Sequence, residues 1–175
     1  LALGAFVPAL WSISGAAIGL ALAVLTGLLG VTLCYHRHLT HASFGTPRWF
    51  RYIITLFGTL SWQGGPIEWV GTHRLHHAHA DDEGDPHSPS HGFTWAHVWW
   101  TIFRNIERGD PWKVTKDLQK DRGLVVFDRL FWFPQVLCAA LLFLVGFIWG
   151  GAELGASWVV WGVGVRTAFV YHTTW

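Results

Sequence analysis

The stretch ISGAAIGLALAVLTGLLGVTLC, residues 13–34, decides the fold of this chain, because it contains 22 residues and none of them is charged. About 20 apolar residues in a helix are enough to cross the hydrocarbon core of a bilayer, so a transmembrane helix is predicted here. The rest of the chain agrees. Of its 175 residues, 51% are hydrophobic, 13 are tryptophan and only 13% are charged, which is typical of a membrane protein.

Three further apolar segments extend this pattern. Residues 1–10 are too short to cross and are predicted to end a first span, while residues 134–150 and 154–172 are predicted to be two transmembrane helices joined by a Gly-rich turn. Residues 35–133 hold most of the charge and are predicted to be cytosolic and interfacial, because Lys and Arg near span ends favour the cytoplasmic side. The fold class is therefore all-α, an integral membrane helical bundle with a cytosolic histidine-rich cap. Core helices of a soluble protein are the weaker alternative, because few charges flank the long runs.

Residues 1–175 are predicted to form one domain, and both ends of the sequence lack terminal signals. The chain begins with LALGAF, without an initiator Met or a basic leader segment, and ends with YHTTW inside an apolar helical pattern. We expect both ends to be cut from a longer chain. Cys34 and Cys138 lie in apolar segments without a paired spacing, which argues against a disulfide or thiolate metal site. A net charge of +1 gives no basic surface for nucleic acid.

Eight of the 11 histidines lie in CYHRHLTHASF, residues 34–44, and THRLHHAHADDEGDPHSP, residues 72–89. Imidazole is a common ligand for transition metals. On a helix, His73 and His77 lie one turn apart with His76 beside them. His36 and His41 lie about 140° apart on an α-helix, so they converge only at a helix end or across a cavity. The predicted metal ligands are His36, His41, His73, His76 and His77, whereas His38 is expected to be interfacial.

The two clusters can serve one site only on the same side of the membrane. They are separated by residues 42–72, and 31 residues cannot hold two spans of about 20 residues each, while one span would put the clusters on opposite sides. Residues 48–66, which otherwise read as a short span or an interfacial helix, are therefore predicted to lie along the cytoplasmic interface. Arg48 and Arg51 at one end, with amphipathic tryptophans, suit that position.

The number of histidines restricts the metal chemistry. Five exceed the four positions of a tetrahedral zinc ion, whereas two metal ions that each keep an open position fit. Iron suits oxygen chemistry, although imidazole count alone leaves zinc and copper open. No Glu is followed three residues later by His, which removes the ferritin-like di-iron pattern, and the zinc-protease motif HExxH does not occur.

The order of these motifs resembles the membrane fatty acid desaturases, in the branch of the Δ9 acyl-lipid and acyl-CoA enzymes. YHRHLTHASF resembles the HxxxxH box and THRLHH the HxxHH box, and QGGPIEW, DPHSP, GFTWAHVWW and YHTTW follow the same branch in order. The resemblance places His36 and His41 in the first box and His73, His76 and His77 in the second. It implies a helical membrane fold and two non-haem iron ions bound by histidines. The family's third HxxHH box does not occur among these residues, so alone they are expected to hold an incomplete site.

The resemblance also implies an oxidoreductase that introduces a cis double bond, expected at Δ9, into an acyl chain while O2 is reduced to water. The implied partners are an acyl lipid or acyl thioester, an electron donor such as ferredoxin or cytochrome b5, and the lipid bilayer. A related histidine-box hydroxylase or other oxygenase is one alternative. A non-enzymatic metal-binding or metal-transport protein is another, although a transporter should hold polar ligands within its spans, and here both clusters are predicted at span ends.

Six other residues are candidates for supporting roles. A carboxylate bonded to a ligand imidazole fixes its orientation, which suits Asp85, although a hydrated acidic loop is an equal alternative. Aromatic side chains suit an acyl tunnel or an interfacial anchor. The six candidates for supporting the metal or lining a tunnel are Asp85, His97, Trp62, Trp69, Trp95 and Trp99.

The shared side of the two clusters is testable by labelling. Cysteines introduced at Ala42 and Ala78 are expected to react with a membrane-impermeant thiol reagent from the same side of the bilayer, because the residues between them do not cross. Labelling from opposite sides would exclude a shared site.

Overall fold

A computed structural model describes residues 1–80, 82, 84–103 and 109–174, and all regular structure among these residues is helical, which confirms the predicted all-α class. Short 3₁₀ turns cover Ala2–Phe6, Pro8–Leu10, Pro89–His91 and Leu118–Lys120. The longer elements are α1 (Ile13–Thr40), α2 (Arg48–Leu60), α3 (Pro66–Ala78), α4 (Trp95–Trp99 continued by Trp100–Ile102), α5 (Arg122–Arg129) and α6 (Trp132–Thr174).

Helix α1 changes its winding along its length. Ser12 is its N-cap: the Ser12 hydroxyl accepts a hydrogen bond from the Gly15 N–H at 2.9 Å, which stabilises the start of the helix. Val24–Thr40 is wound more widely, as a π-helix, in which each N–H bonds to the carbonyl five residues earlier. Residues five apart therefore lie close together at the end of α1.

Helix α6 consists of two arms, residues 132–149 and 152–174, that meet at Gly150 and Gly151. Gly151 has a φ of 81°, a left-handed value that glycine adopts without a Cβ clash. The arms then pack closely, because a Cβ on Gly146 would lie only 2.8 Å from the Gly155 Cα. By length and composition, α1 and α6 are the two candidate membrane spans among the described residues. The predicted limits of the individual spans stay predictions.

Helix α2 packs against the wide part of α1 and leaves an apolar stripe exposed. Trp49, Ile53 and Leu56 form this stripe at the spacing of one helix face. Helix α2 has 13 residues and is about 20 Å long, which is shorter than the roughly 30 Å hydrocarbon core. These features support an interfacial position for α2.

The start of α3 is capped by a side chain from α5. Gly65 precedes the helix and has no side chain to cap it, but the buried Asp128 Oδ1 accepts hydrogen bonds from the N–H groups of Ile67 at 2.8 Å and Glu68 at 3.0 Å. A Cβ on Gly65 would collide with the Asp128 side chain, so glycine is required there. Burial raises the pKa of Asp128, against the lowering effect of these two hydrogen bonds.

Removing the Asp128 side chain, which caps α3, is expected to destabilise the histidine-rich region that α3 belongs to. Asp128→Ala should lower the free energy of unfolding by about 1 kcal/mol, because two N–H groups at the start of α3 lose their acceptor. Asp128→Asn is the matched control, since its amide oxygen still accepts both bonds. Denaturant unfolding of the purified chain in detergent measures the difference, and equal stability of the Ala and Asn variants would contradict the capping role.

Candidate metal centre

Four histidine rings converge where the end of α1 meets α3. The ligand nitrogens of His36, His41, His73 and His77 all lie within 4.8 Å of one another. The Nε2 atoms of His36 and His41 are 3.2 Å apart, and those of His73 and His77 are 3.1 Å apart. Metal–nitrogen bonds of about 2.0–2.1 Å hold ligand nitrogens roughly 3–4 Å apart. This four-histidine cluster therefore fits a single metal ion.

The wide winding of α1 explains how His36 and His41 meet. On an α-helix they would point about 140° apart. In the structure the His41 N–H donates to the His36 carbonyl at 3.1 Å, and the two ring centroids are 4.6 Å apart. The pair thus converges at a helix end, one of the two possibilities that the sequence left open.

The α3 histidines of this cluster are held neutral. Burial, followed by the charges that His77 and His36 would carry, lowers the pKa of His73 to about 3. Burial and His41 likewise lower the pKa of His77. The buried His73 Nδ1 has no hydrogen-bond partner among the residues that the structure describes. At neutral pH these imidazoles keep lone pairs for a cation, which is the protonation state that metal binding requires.

His76 belongs to a second group, with Asp85 and His87. Its Nδ1 donates to the fully buried Asp85 Oδ2 at 2.9 Å, and the other Asp85 oxygen accepts from the His87 N–H at 3.0 Å. The His87 ring stacks on His76 with centroids 4.3 Å apart. A carboxylate on Nδ1 leaves Nε2 available to a metal. Asp85 thus lies where a carboxylate that orients the His76 ring would lie, and His87, which is outside both boxes in the sequence, lies beside it.

His38 makes hydrogen bonds through both ring nitrogens and lies apart from both clusters. Its Nδ1 donates to the Phe44 carbonyl at 2.9 Å and its Nε2 accepts from Arg51 Nε at 3.2 Å. The side chain is buried, with a relative exposure of 8%, rather than interfacial. It joins the end of α1 to α2, and neither nitrogen is left for a metal.

Arg74, between the ligands of the second box, binds the two boxes together. Its guanidinium donates to both carboxylate oxygens of Asp117, at 2.7 and 2.9 Å, and to the Leu39 carbonyl at 3.2 Å. Leu39 lies between His36 and His41, so Arg74 fixes the end of α1 against α3. This role of Arg74 was not predicted from the sequence, in which its place inside the second box is the available signal.

A cavity of about 1390 Å³ lies beside α3, between residues 109–113 and both arms of α6. Trp62 and Trp69 line it, as does Trp100, whereas Trp95 and Trp99, which the structure also describes, do not. For Trp95 and Trp99 the alternative of an interfacial anchor therefore stays a prediction. The lining combines aromatic and apolar side chains with a few polar groups, which is the usual character of a ligand pocket.

Trp69 connects this cavity to the four-histidine cluster. Its indole N–H donates to Gln63 Oε1 at 3.2 Å, and the centroids of the Trp69 and His73 rings are 5.0 Å apart. A ligand in the cavity would consequently lie beside a metal-ligand candidate.

His97 joins neither cluster and does not line the cavity. Its Nε2 lies 2.7 Å from His172 Nδ1, and its carbonyl accepts from the Tyr171 hydroxyl at 2.6 Å. These bonds attach α4 to the second arm of α6. The structure therefore places His97 as a link between the cap and the bundle.

The profile of the fatty acid desaturase family matches residues 11–175. The chain belongs to the fatty acid desaturase family. The resemblance drawn from the histidine boxes is thus confirmed. Membership of this family, together with the apolar helices α1 and α6, identifies a membrane protein.

Curated relatives of this desaturase chain act on lipid-bound and CoA-bound acyl chains, according to their names. The sn-1 stearoyl-lipid 9-desaturase of Anabaena variabilis is 44% identical over 174 residues, which are 99% of this chain and 61% of the relative. The enzyme of the same name from Synechocystis sp. is 39% identical over 175 residues, 100% of this chain and 52% of the relative. The icosanoyl-CoA 5-desaturase of Limnanthes douglasii is 37% identical over 152 residues, which are 85% of this chain and 40% of the relative. The chain spans about half the length of these relatives.

Metal binding by the purified chain in detergent tests the four-histidine cluster. We expect the 175 residues to bind Fe²⁺ weakly and with fewer than two tightly held ions, and we expect His77→Ala to lower the affinity at least about tenfold, because an imidazole donor is lost. His38→Ala is the control, since it removes hydrogen bonds next to the cluster but no cluster nitrogen. Equal loss of affinity in both variants would contradict the assignment, and two tightly held ions would show that the visible histidines suffice.

Proposed function

We propose that this chain functions in a fatty acyl desaturase that uses O2 and a non-haem di-iron centre to introduce a cis double bond, at Δ9, into an acyl chain of a membrane lipid. The observation that carries the proposal is the convergence of both histidine boxes on one place, with His76 directed to a second group beside it. Family membership and the names of the relatives support the reaction and the acyl substrate.

Each iron would use a different set of residues. The four-histidine cluster would hold the first ion, and His76 Nε2 would contribute to the second, with the remaining ligands from the third histidine box that the family resemblance implies. Bound iron would supply the oxidant, made from O2, that an unactivated methylene C–H requires. Histidine ligands suit iron in this role.

The protein side chains would orient the ligands and the substrate. Asp85 holds the His76 ring through Nδ1, and Arg74 fixes the first box against the second. Trp69 forms cavity wall next to His73, so an acyl chain in the cavity would pass beside the first metal while water is kept out. The depth of chain entry would then determine where the double bond forms.

We infer further that both histidine groups face the cytoplasm and that α2 lies in the interface. The exposed apolar stripe of α2 and its short length support this position, as do the Lys and Arg residues of the cap. An electron donor such as ferredoxin or cytochrome b5 would approach from that side.

The competing functions differ in their products. A hydroxylase with the same metal would leave oxygen on the acyl chain. If acyl-CoA rather than lipid is the carrier of the acyl chain, the new double bond would appear first in acyl-CoA. A metal transporter is less well supported, because the clusters lie at the end of α1 and on α3 instead of in the middle of apolar helices.

A segment exchange tests the proposal. This chain replaces the matched segment of the Anabaena variabilis sn-1 stearoyl-lipid 9-desaturase in a host that supplies ferredoxin and lacks its own 9-desaturase. We expect a new Δ9 double bond, concentrated in the membrane lipids, because the exchanged segment carries the first two histidine boxes and the cavity residues while the rest of the Anabaena variabilis enzyme supplies the third box. Gas chromatography of fatty acids from separated lipid classes measures it.

Three variants of this chimera separate the roles of the residues. His41→Ala is expected to abolish the product, His38→Ala to keep substantial activity, and Asp85→Asn to lower activity roughly 10–100-fold, because the orientation of His76 is weakened. A hydroxylated product would replace the desaturase proposal with the oxygenase alternative. An inactive His38→Ala beside an active His41→Ala would overturn the assignment of the first box.

A further inference from the structure

Arg166 is a buried cation in the second arm of α6. Its relative exposure is 1%, and no carboxylate lies within ion-pair distance of it among the described residues. Instead, Nε donates to the Gly162 carbonyl at 2.9 Å, Nη1 to the Leu60 carbonyl and Nη2 to Gln135 Oε1 at 2.8 Å. A buried charge without an opposite charge is costly, and in an apolar helix it points to a function.

The guanidinium of Arg166 joins three segments that each contribute residues to the cavity wall. Leu60 ends α2, two residues before the cavity-lining Trp62, and its carbonyl is one of those that a helix end leaves without a partner in the helix. Gln135 belongs to the first arm, and Arg166 itself to the second. Because the fork of N–H groups is rigid, the three elements are held at fixed distances.

Gln135 is the side chain that this arrangement fixes most completely. Its Oε1 accepts from Arg166, and its Nε2 donates to Thr167 Oγ1 at 3.2 Å, so both ends of the carboxamide are bonded. Gln135 and Thr167 both line the cavity. The other lining residues from the two arms are Val136, Ala139, Val163, Gly164, Ala168 and Tyr171. Apart from Tyr171, all of them are smaller than glutamine, so Gln135 is one of the two largest side chains that the arms contribute to the wall.

We propose that Gln135, held by Arg166 and Thr167, is a specificity-determining residue that limits the length of the acyl chain the cavity accepts. The inference rests on the proposed function, because it takes an acyl chain as the ligand of the cavity. A side chain bonded at both ends cannot swing aside for a longer chain, whereas an unbonded one could. Shortening Gln135 should therefore extend the cavity between the arms.

Binding to the purified chain tests this inference without catalysis. Palmitoyl, stearoyl and arachidoyl forms of one lysolipid are titrated, and the shift of the thermal unfolding midpoint gives each apparent affinity. We expect Gln135→Ala to shift the ratio of arachidoyl to palmitoyl affinity about tenfold towards the longer chain, the size of effect that a methylene has in a fitted pocket.

Two matched variants show whether shape is the cause. Gln135→Glu keeps the size of the side chain and offers Arg166 a carboxylate, so it should retain the parent's chain-length preference. Leu144→Ala removes bulk from an exposed position on the same arm and should also retain it. An unchanged preference in Gln135→Ala, the same shift in Leu144→Ala, or no stabilisation by any acyl lipid would overturn the inference.

The same variants in the Anabaena variabilis chimera distinguish this inference from the proposed function. If Gln135→Ala extends the unsaturated products to longer chains, both the chain-length role and the desaturase function are supported. If the lysolipid preference shifts as expected while the unsubstituted chimera makes no double bond, the chain-length role stands and the desaturase function fails. If the chimera desaturates and its product lengths are unaffected by Gln135→Ala, the chain-length role fails alone.

Discussion

The contact between the end of α1 and α3 is the constraint on which the site depends. Four imidazoles gain little from packing together, and any two that became protonated would repel each other. Their positions must therefore be enforced by the hydrogen bonds around them, as in other preorganised sites. Arg74 ties α3 to the Leu39 carbonyl, and the Thr40 hydroxyl donates to the Tyr35 carbonyl at the end of α1. The histidines are placed by residues that do not bind metal themselves.

The parts of this structure that follow from local periodicity could be predicted from the sequence. A run of 22 uncharged residues lies within helix α1 because an unpaired backbone cannot be left in hydrocarbon. His73 and His77 meet because residues four apart share a helix face. The turn at Gly150 and Gly151 follows from the freedom of glycine to adopt a positive φ. In each case, the interacting groups are neighbours along the chain.

The parts that depend on distant residues could not be predicted in this way. The cap of α3 comes from Asp128, 61 residues beyond Ile67, and nothing near Gly65 indicates it. The wide winding that unites His36 with His41 leaves no clear periodic signal in the sequence. Trp100, rather than Trp99, lines the cavity, and a difference of one residue on a short helix depends on how that helix docks.

The division of the second box between two groups is the most consequential of these distant effects. His76 and His77 are adjacent in sequence, yet His77 faces His41 and His73 while His76 turns to Asp85. Adjacent residues on a helix are about 100° apart, so one helix can serve two metal positions only if a partner draws the second imidazole away. Asp85 is that partner, and it is fully buried. A carboxylate held there against an imidazole N–H makes the opposite ring nitrogen a stronger metal ligand. The two groups thereby differ in character: one is four imidazoles held by the fold, and the other is His76 polarised by a buried acid, with His87 stacked on it. A second ion bound through His76 would therefore respond to the loss of Asp85, whereas the first would respond to the contacts that hold α1 against α3.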